Sequence, residues 1–95
     1  MNMYEYETSK SEISVKNKIN EVRNIAKANN LKLVFRDKKV FDGDFTFFIY
    51  NSEGGRFLIA LSGLWKTDHE ELTFDSCYDF IKGWIKCYID IKNKH

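Results

Sequence analysis

The stretch 45–61, FTFFIYNSEGGRFLIAL, decides how the rest of the chain folds. Two runs of aromatic and aliphatic residues flank Asn51-Ser52-Glu53-Gly54-Gly55, a cluster of turn formers, and the whole reads as a β-hairpin. In the first arm, 44–50, strand alternation puts Phe45, Phe47 and Ile49 on one face and Thr46, Phe48 and Tyr50 on the other. In the second arm, 56–61, Phe57, Ile59 and Leu61 alternate with Arg56, Leu58 and Ala60. Aromatic residues therefore fall on both faces. Either both sides of the sheet are covered, or one side is an aromatic surface awaiting a partner.

Upstream, Leu31, Leu33 and Phe35 alternate with Lys32, Val34 and Arg36, which predicts another strand. Asp42-Gly43 marks a hairpin connection to the arm that starts near Asp44, and Lys38 and Lys39 in or near that connection protect an edge. Before it, Val15, Ile19, Val22 and Ala26 recur at spacings of four, three and four, with Ile25 beside them, predicting an amphipathic helix. Ser11 or Ser14 is its expected cap, and Asn29-Asn30 its stop, since Asn tolerates the left-handed conformation. Residues 1–10 show no clear period and read as a frayed, flexible start to a single domain over 11–95. A short edge strand through Tyr4 and Tyr6 is the alternative.

Downstream, residues 62–72, SGLWKTDHEEL, read as a polar link holding Trp65. Thr73 or Asp75 caps a last helix. Along it Cys77, Ile81, Trp84, Tyr88 and Ile91 form an apolar stripe that Phe80, Ile85 and Ile89 broaden. Gly83 in mid-helix costs up to about 1 kcal/mol against Ala, which suggests close packing of that helix on a neighbour. The expected fold is α+β: helix, three-stranded antiparallel sheet, helix (αβββα), with both helices on one face of the sheet.

A chain of 95 residues with 43% hydrophobic and 16% aromatic content has enough apolar material for one core. The net charge of +1 argues against a dedicated nucleic-acid binder. Charge is nonetheless segregated: residues 10–40 hold nine basic and three acidic residues, residues 41–80 two basic and eight acidic, and residues 81–95 four basic and one acidic. Such asymmetry can steer partners, or it can be the solvated faces of two helices and a loop. Two cysteines, Cys77 and Cys87, are too few to staple a secreted fold. At ten residues apart on a helix they stand about 15 Å apart, beyond disulfide reach, and read as reduced, buried residues of a cytoplasmic protein. The polar start and the absence of an apolar run near 20 residues predict neither a signal peptide nor a membrane span.

Asp68-His69-Glu70-Glu71 is the densest titratable cluster. A metal site needs ligands converging from separate turns, and a catalytic His needs an orienting group and a nucleophile. A single polar loop supplies neither, so no metal, cofactor or enzymatic activity is expected. Lys16, Asn20, Arg23 and Lys27 share a helix face that is either a solvated flank or a contact surface for phosphate or carboxylate groups. The order of elements is shared with the double-stranded RNA-binding domain, but the last helix opens with Asp75 and Asp79 where that domain carries a Lys cluster. Phe48 and Tyr50 with Arg56 beside them would suit single strands as a stacking platform.

The stretch 44–85 resembles small phage proteins that inhibit CRISPR–Cas effectors, the anti-CRISPR proteins. The likeness lies in an apolar strand, a turn with Asn51, Glu53 and Gly54, a second strand, and the run Phe80-Ile81-Lys82-Gly83-Trp84 on a late helix. It implies a small inhibitor that occupies a surface on a larger target in a bacterial cytoplasm, and it carries no functional residue across. The expected function is thus a non-catalytic binding protein for a protein or ribonucleoprotein target. Its candidate contact residues are Asp68, Glu70 and Glu71, Trp65, Lys16, Arg23 and Lys27, and Phe48 and Tyr50. A nucleic-acid module built on the first helix and a structural homodimer are the alternatives, and no membrane partner is expected.

Overall fold

A computed structural model describes residues 3–37 and 43–93, with side chains from residue 13 onward. The elements are α1 (Met3–Ala28), β1 (Leu31–Asp37), β2 (Asp44–Asn51), β3 (Phe57–Leu64), a 3₁₀ turn (Glu70–Leu72) and α2 (Phe74–Asn93). The order αβββα is the expected one. The hairpin signal at Asp42, and Lys38 and Lys39, lie outside the described residues.

α1 departs from expectation at its start. It begins at Met3, so Ser11 and Ser14 are interior rather than caps, and residues 3–10 belong to the helix. No Gly or Pro interrupts 3–28, and propensity alone lets the helix run on. Its end is as read: Asn30 adopts φ 61°, and the Asn29 side chain donates to the Ile25 carbonyl at 2.8 Å.

The three strands form an antiparallel meander with β2 in the centre. Leu33 pairs with Ile49 and Phe35 with Phe47; Phe47 pairs with Leu61 and Phe45 with Gly63. The turn after β2 is held by Asn51, whose side-chain oxygen accepts from the Glu53 amide at 2.8 Å. Gly54 and Gly55 supply positive φ there, at 89° and 68°. β3 runs three residues past the expected 61, so Ser62, Gly63 and Leu64 are strand, not link. The Thr46 and Ser62 hydroxyls, cross-strand partners, lie 2.7 Å apart.

The pairing slips between Ile49 and Tyr50, so that Tyr50 opposes Phe57 and Leu58 is the extra residue of a β-bulge. This corrects the reading of β3. Ile59 and Leu61 face the core, but the bulge turns Phe57 to the opposite side, where its ring meets Tyr50 at 5.8 Å.

Both helices cover one face of the sheet, α1 packing on β1 and α2 on β3, and they touch each other. The core joins Ile19, Val22 and Ala26 of α1, Leu31, Leu33, Phe45, Phe47 and Ile49 of the sheet, and Phe74, Cys77, Tyr78, Ile81 and Ile85 of α2. The buried face of α2 is therefore rotated toward Tyr78 and Ile85, which leaves Phe80 and Ile91 of the expected stripe exposed. The Thr73 hydroxyl caps α2, accepting from the Ser76 amide at 3.2 Å.

Across the helix pair, Glu21 accepts from the Tyr78 hydroxyl at 2.6 Å and from Lys82 at 2.8 Å. Lys18 donates to Asp75 at 2.6 Å. The Lys82 and Tyr78 hydrogen bonds hold the Glu21 carboxyl below its ordinary range, and Asp75 raises Lys18. These pairs are solvated, so they fix how the helices sit more than they add stability.

Candidate functional site

With the helices on one side, the other side of the sheet stays open. Three rows of outward positions run across all three strands, and Asp44 pairs with Leu64 beyond them. Lys32, Tyr50 and Phe57 form one, Val34, Phe48 and Ala60 the next, and Arg36, Thr46 and Ser62 the third. Phe48 and Tyr50 sit two apart on the central strand, with rings stacked at 6.4 Å and 24°. Phe57 is 53% exposed. The Arg36 guanidinium lies over the Phe48 ring at 5.6 Å, a cation–π contact that orients the charge against the apolar surface. Lys32, Arg36 and Arg56 are exposed, and Asp44 at the end of β2 is the sole acidic residue at an outward register position of the described strands.

Of the expected contact residues, the sheet brings together Phe48 and Tyr50 and adds Phe57, Lys32 and Arg36. The signal for these additions was present in part: alternation marked Lys32 and Arg36 as one face of β1. The bulge that turns Phe57 outward left no mark in the apolar pattern.

The other candidates lie elsewhere. Lys16, Arg23 and Lys27 are exposed on α1, with Arg23 donating to Asn20 at 3.4 Å. Asp68, Glu70 and Glu71 are exposed around the 3₁₀ turn, where His69 comes within 3.8 Å of Glu71. This turn touches β3 and α2, with the Leu72 carbonyl pressed toward Gly63 on the helix side of the sheet. The carboxylates are thus kept away from the open aromatic face. No group of three metal-binding side chains occurs among the described residues.

Trp65 packs into the aromatic cluster on the helix side, 4.7 Å from Phe45 and stacked on Phe74 at 5.6 Å. Its indole donates to Asp37 at 2.7 Å. It seals the core at the end of the sheet and does not fold over the open face. Cys77 is buried, and burial pushes its thiol pKa up, as befits an inert core residue. Cys87 is exposed, contrary to the expectation that both are buried. It follows Phe80 and Gly83 on the outer side of α2, and a Cβ at Gly83 would meet nothing within 4 Å. The expected close packing at Gly83 is therefore not found among the described residues. No helix of the described residues is long and apolar enough to cross a membrane.

No family model, curated protein or solved structure matches the chain.

Proposed function

We propose that this protein is a non-catalytic binding domain that acts by occupying a surface on a larger protein or ribonucleoprotein. An inhibitor of a CRISPR–Cas effector, encoded by a phage or mobile element, is the form suggested by the resemblance of 44–85. The observation that carries the binding role is the open sheet face. Three aromatic residues, Phe48, Tyr50 and Phe57, stand together on the side that neither helix covers, edged by Lys32 and Arg36. Aromatic and Arg side chains of this kind supply most of the energy of macromolecular contacts. Placing them on a sheet rather than a loop keeps them ordered before binding.

The test is inhibition of target-DNA cleavage by a panel of CRISPR–Cas effectors, with direct binding measured in parallel. Wild-type protein should inhibit at least one effector, and Phe57→Ala should weaken that complex about 30-fold, the loss of one hot-spot residue. Charge reversal at Lys16, Arg23 and Lys27, or at Asp68, Glu70 and Glu71, should weaken it less. Inhibition of no effector removes the effector as target. Full binding by Phe57→Ala and Phe48→Ala removes the open face as the contact surface. Self-association abolished by Phe80→Lys would instead give the partner role to a second copy meeting α2.

A further inference from the structure

The open face is a single surface built from two kinds of group, and their combination indicates what it receives. We infer that it binds single-stranded nucleic acid, with bases stacked on Phe48, Tyr50 and Phe57 and phosphates met by Lys32 and Arg36. This rests on the reading of that face as the contact surface and names the chemistry of its occupant. In a ribonucleoprotein target, the strand would be the part held.

The first observation is the placing of the rings. Two lie at i and i+2 on the central strand, and the third is directly across on β3, at 5.8 Å from Tyr50. Neighbouring rings on one sheet face offer successive bases a series of π-faces, and stacking tolerates any base. The bulge at Leu58 is what brings Phe57 into the series; without it β3 would present an aliphatic side chain opposite Tyr50.

The second observation is charge. Lys32 is the β1 partner of Tyr50, and Arg36 reaches over Phe48 at 5.6 Å. Two cations therefore border the three rings, while the acidic cluster at 68–71 stays on the helix side. A strand of phosphates with splayed bases matches both features. The hydroxyls of Thr46 and Ser62, 2.7 Å apart in the third row, are neutral, and Asp44 beyond them is the sole acidic residue at an outward register position of the described strands. A duplex hides its base faces and could use only the cations.

The experiment is fluorescence anisotropy of labelled short oligo-dT and oligo-U, against a duplex of the same length, at two salt concentrations. Single strands should bind more tightly than the duplex. Phe57→Ala should weaken single-strand binding roughly 5- to 150-fold, the range for one base–aromatic stack. The slope of log affinity against log salt should be about −1.4 for two phosphate contacts, and Lys32→Ala should reduce its size by about 0.7. Phe57 is more than half exposed, so its substitution does not threaten the fold. Absence of single-strand binding at low salt overturns the inference, as does equal affinity for the duplex or wild-type binding by Phe57→Ala. If oligonucleotides fail but Phe57→Ala still weakens a protein complex, the contact surface stands and its occupant is a protein.

Discussion

Gly63→Ala is expected to cost about 3 kcal/mol or more, and to leave part of the protein unfolded at room temperature. The cause is space, not backbone conformation. A Cβ at Gly63 would lie 2.4 Å from the Leu72 carbonyl oxygen, 2.4 Å from the end of the Phe45 ring and 2.9 Å from the Cys77 sulfur. Phe45 is 1% exposed and held between Trp65 and Phe74, so its ring has nowhere to go. The carbonyl belongs to the 3₁₀ turn that leads into α2, so relief would mean lifting the turn off the sheet. Chemical denaturation checks this, with Gly83→Ala as the comparison. Gly83 is also a glycine in a regular element, but a Cβ there meets nothing, and Ala should stabilise α2 by up to about 1 kcal/mol. Equal effects at the two positions would contradict the packing of the 3₁₀ turn against β3.

Phe47→Ala is expected to cost about 3–5 kcal/mol, and Phe48→Ala about 1 kcal/mol or less. The two residues are adjacent on β2 and identical in chemistry. Phe47 is fully buried, its ring 5.0 Å from Phe35 and 5.8 Å from Phe74. Removing it opens a cavity among rings that cannot collapse into it. Phe48 is half-buried on the open face and loses contacts with Tyr50 and the Arg36 guanidinium beside its cross-strand neighbours Val34 and Ala60. Urea unfolding of the two variants separates a sheet covered on one side from one covered on both, since in the latter the costs would be alike.

The fold was legible in the sequence because its signals are local. Alternation at Phe45, Phe47 and Ile49, the turn at Asn51 to Gly55, and the helical spacing of Val15, Ile19 and Val22 each report one element's own geometry. The site was half legible. Phe48 and Tyr50 were marked as the second face of β2, but no periodicity says which face two helices will choose. That choice depends on how the elements pack. Phe57 escaped because a bulge is a property of a strand pair, set by the register that Tyr50 takes, and the apolar sequence reads the same with or without it. Gly63 looked like the start of a polar link, since its role is defined by Leu72 and Cys77, distant in the chain. Trp65 is an interior residue for the same reason: its partners Phe35, Phe45 and Phe74 come from three elements.

The two sets of basic residues differ in what surrounds them. The basic face of α1 was the natural candidate for phosphate because its residues recur along one helix. In the folded chain Lys16, Arg23 and Lys27 stand apart from the aromatic cluster, while Lys32 and Arg36 stand within it. A cation beside a ring can act on a base and its phosphate together, which an isolated helical stripe cannot.

The most direct measurement of the central claim is an NMR map of amide and aromatic shifts as short oligo-U is added to the isotope-labelled protein. The account predicts changes concentrated at Lys32, Arg36, Phe48, Tyr50 and Phe57, with the 3₁₀ turn and α1 unmoved. Changes centred on Lys16, Arg23 and Lys27, with the sheet silent, would contradict it.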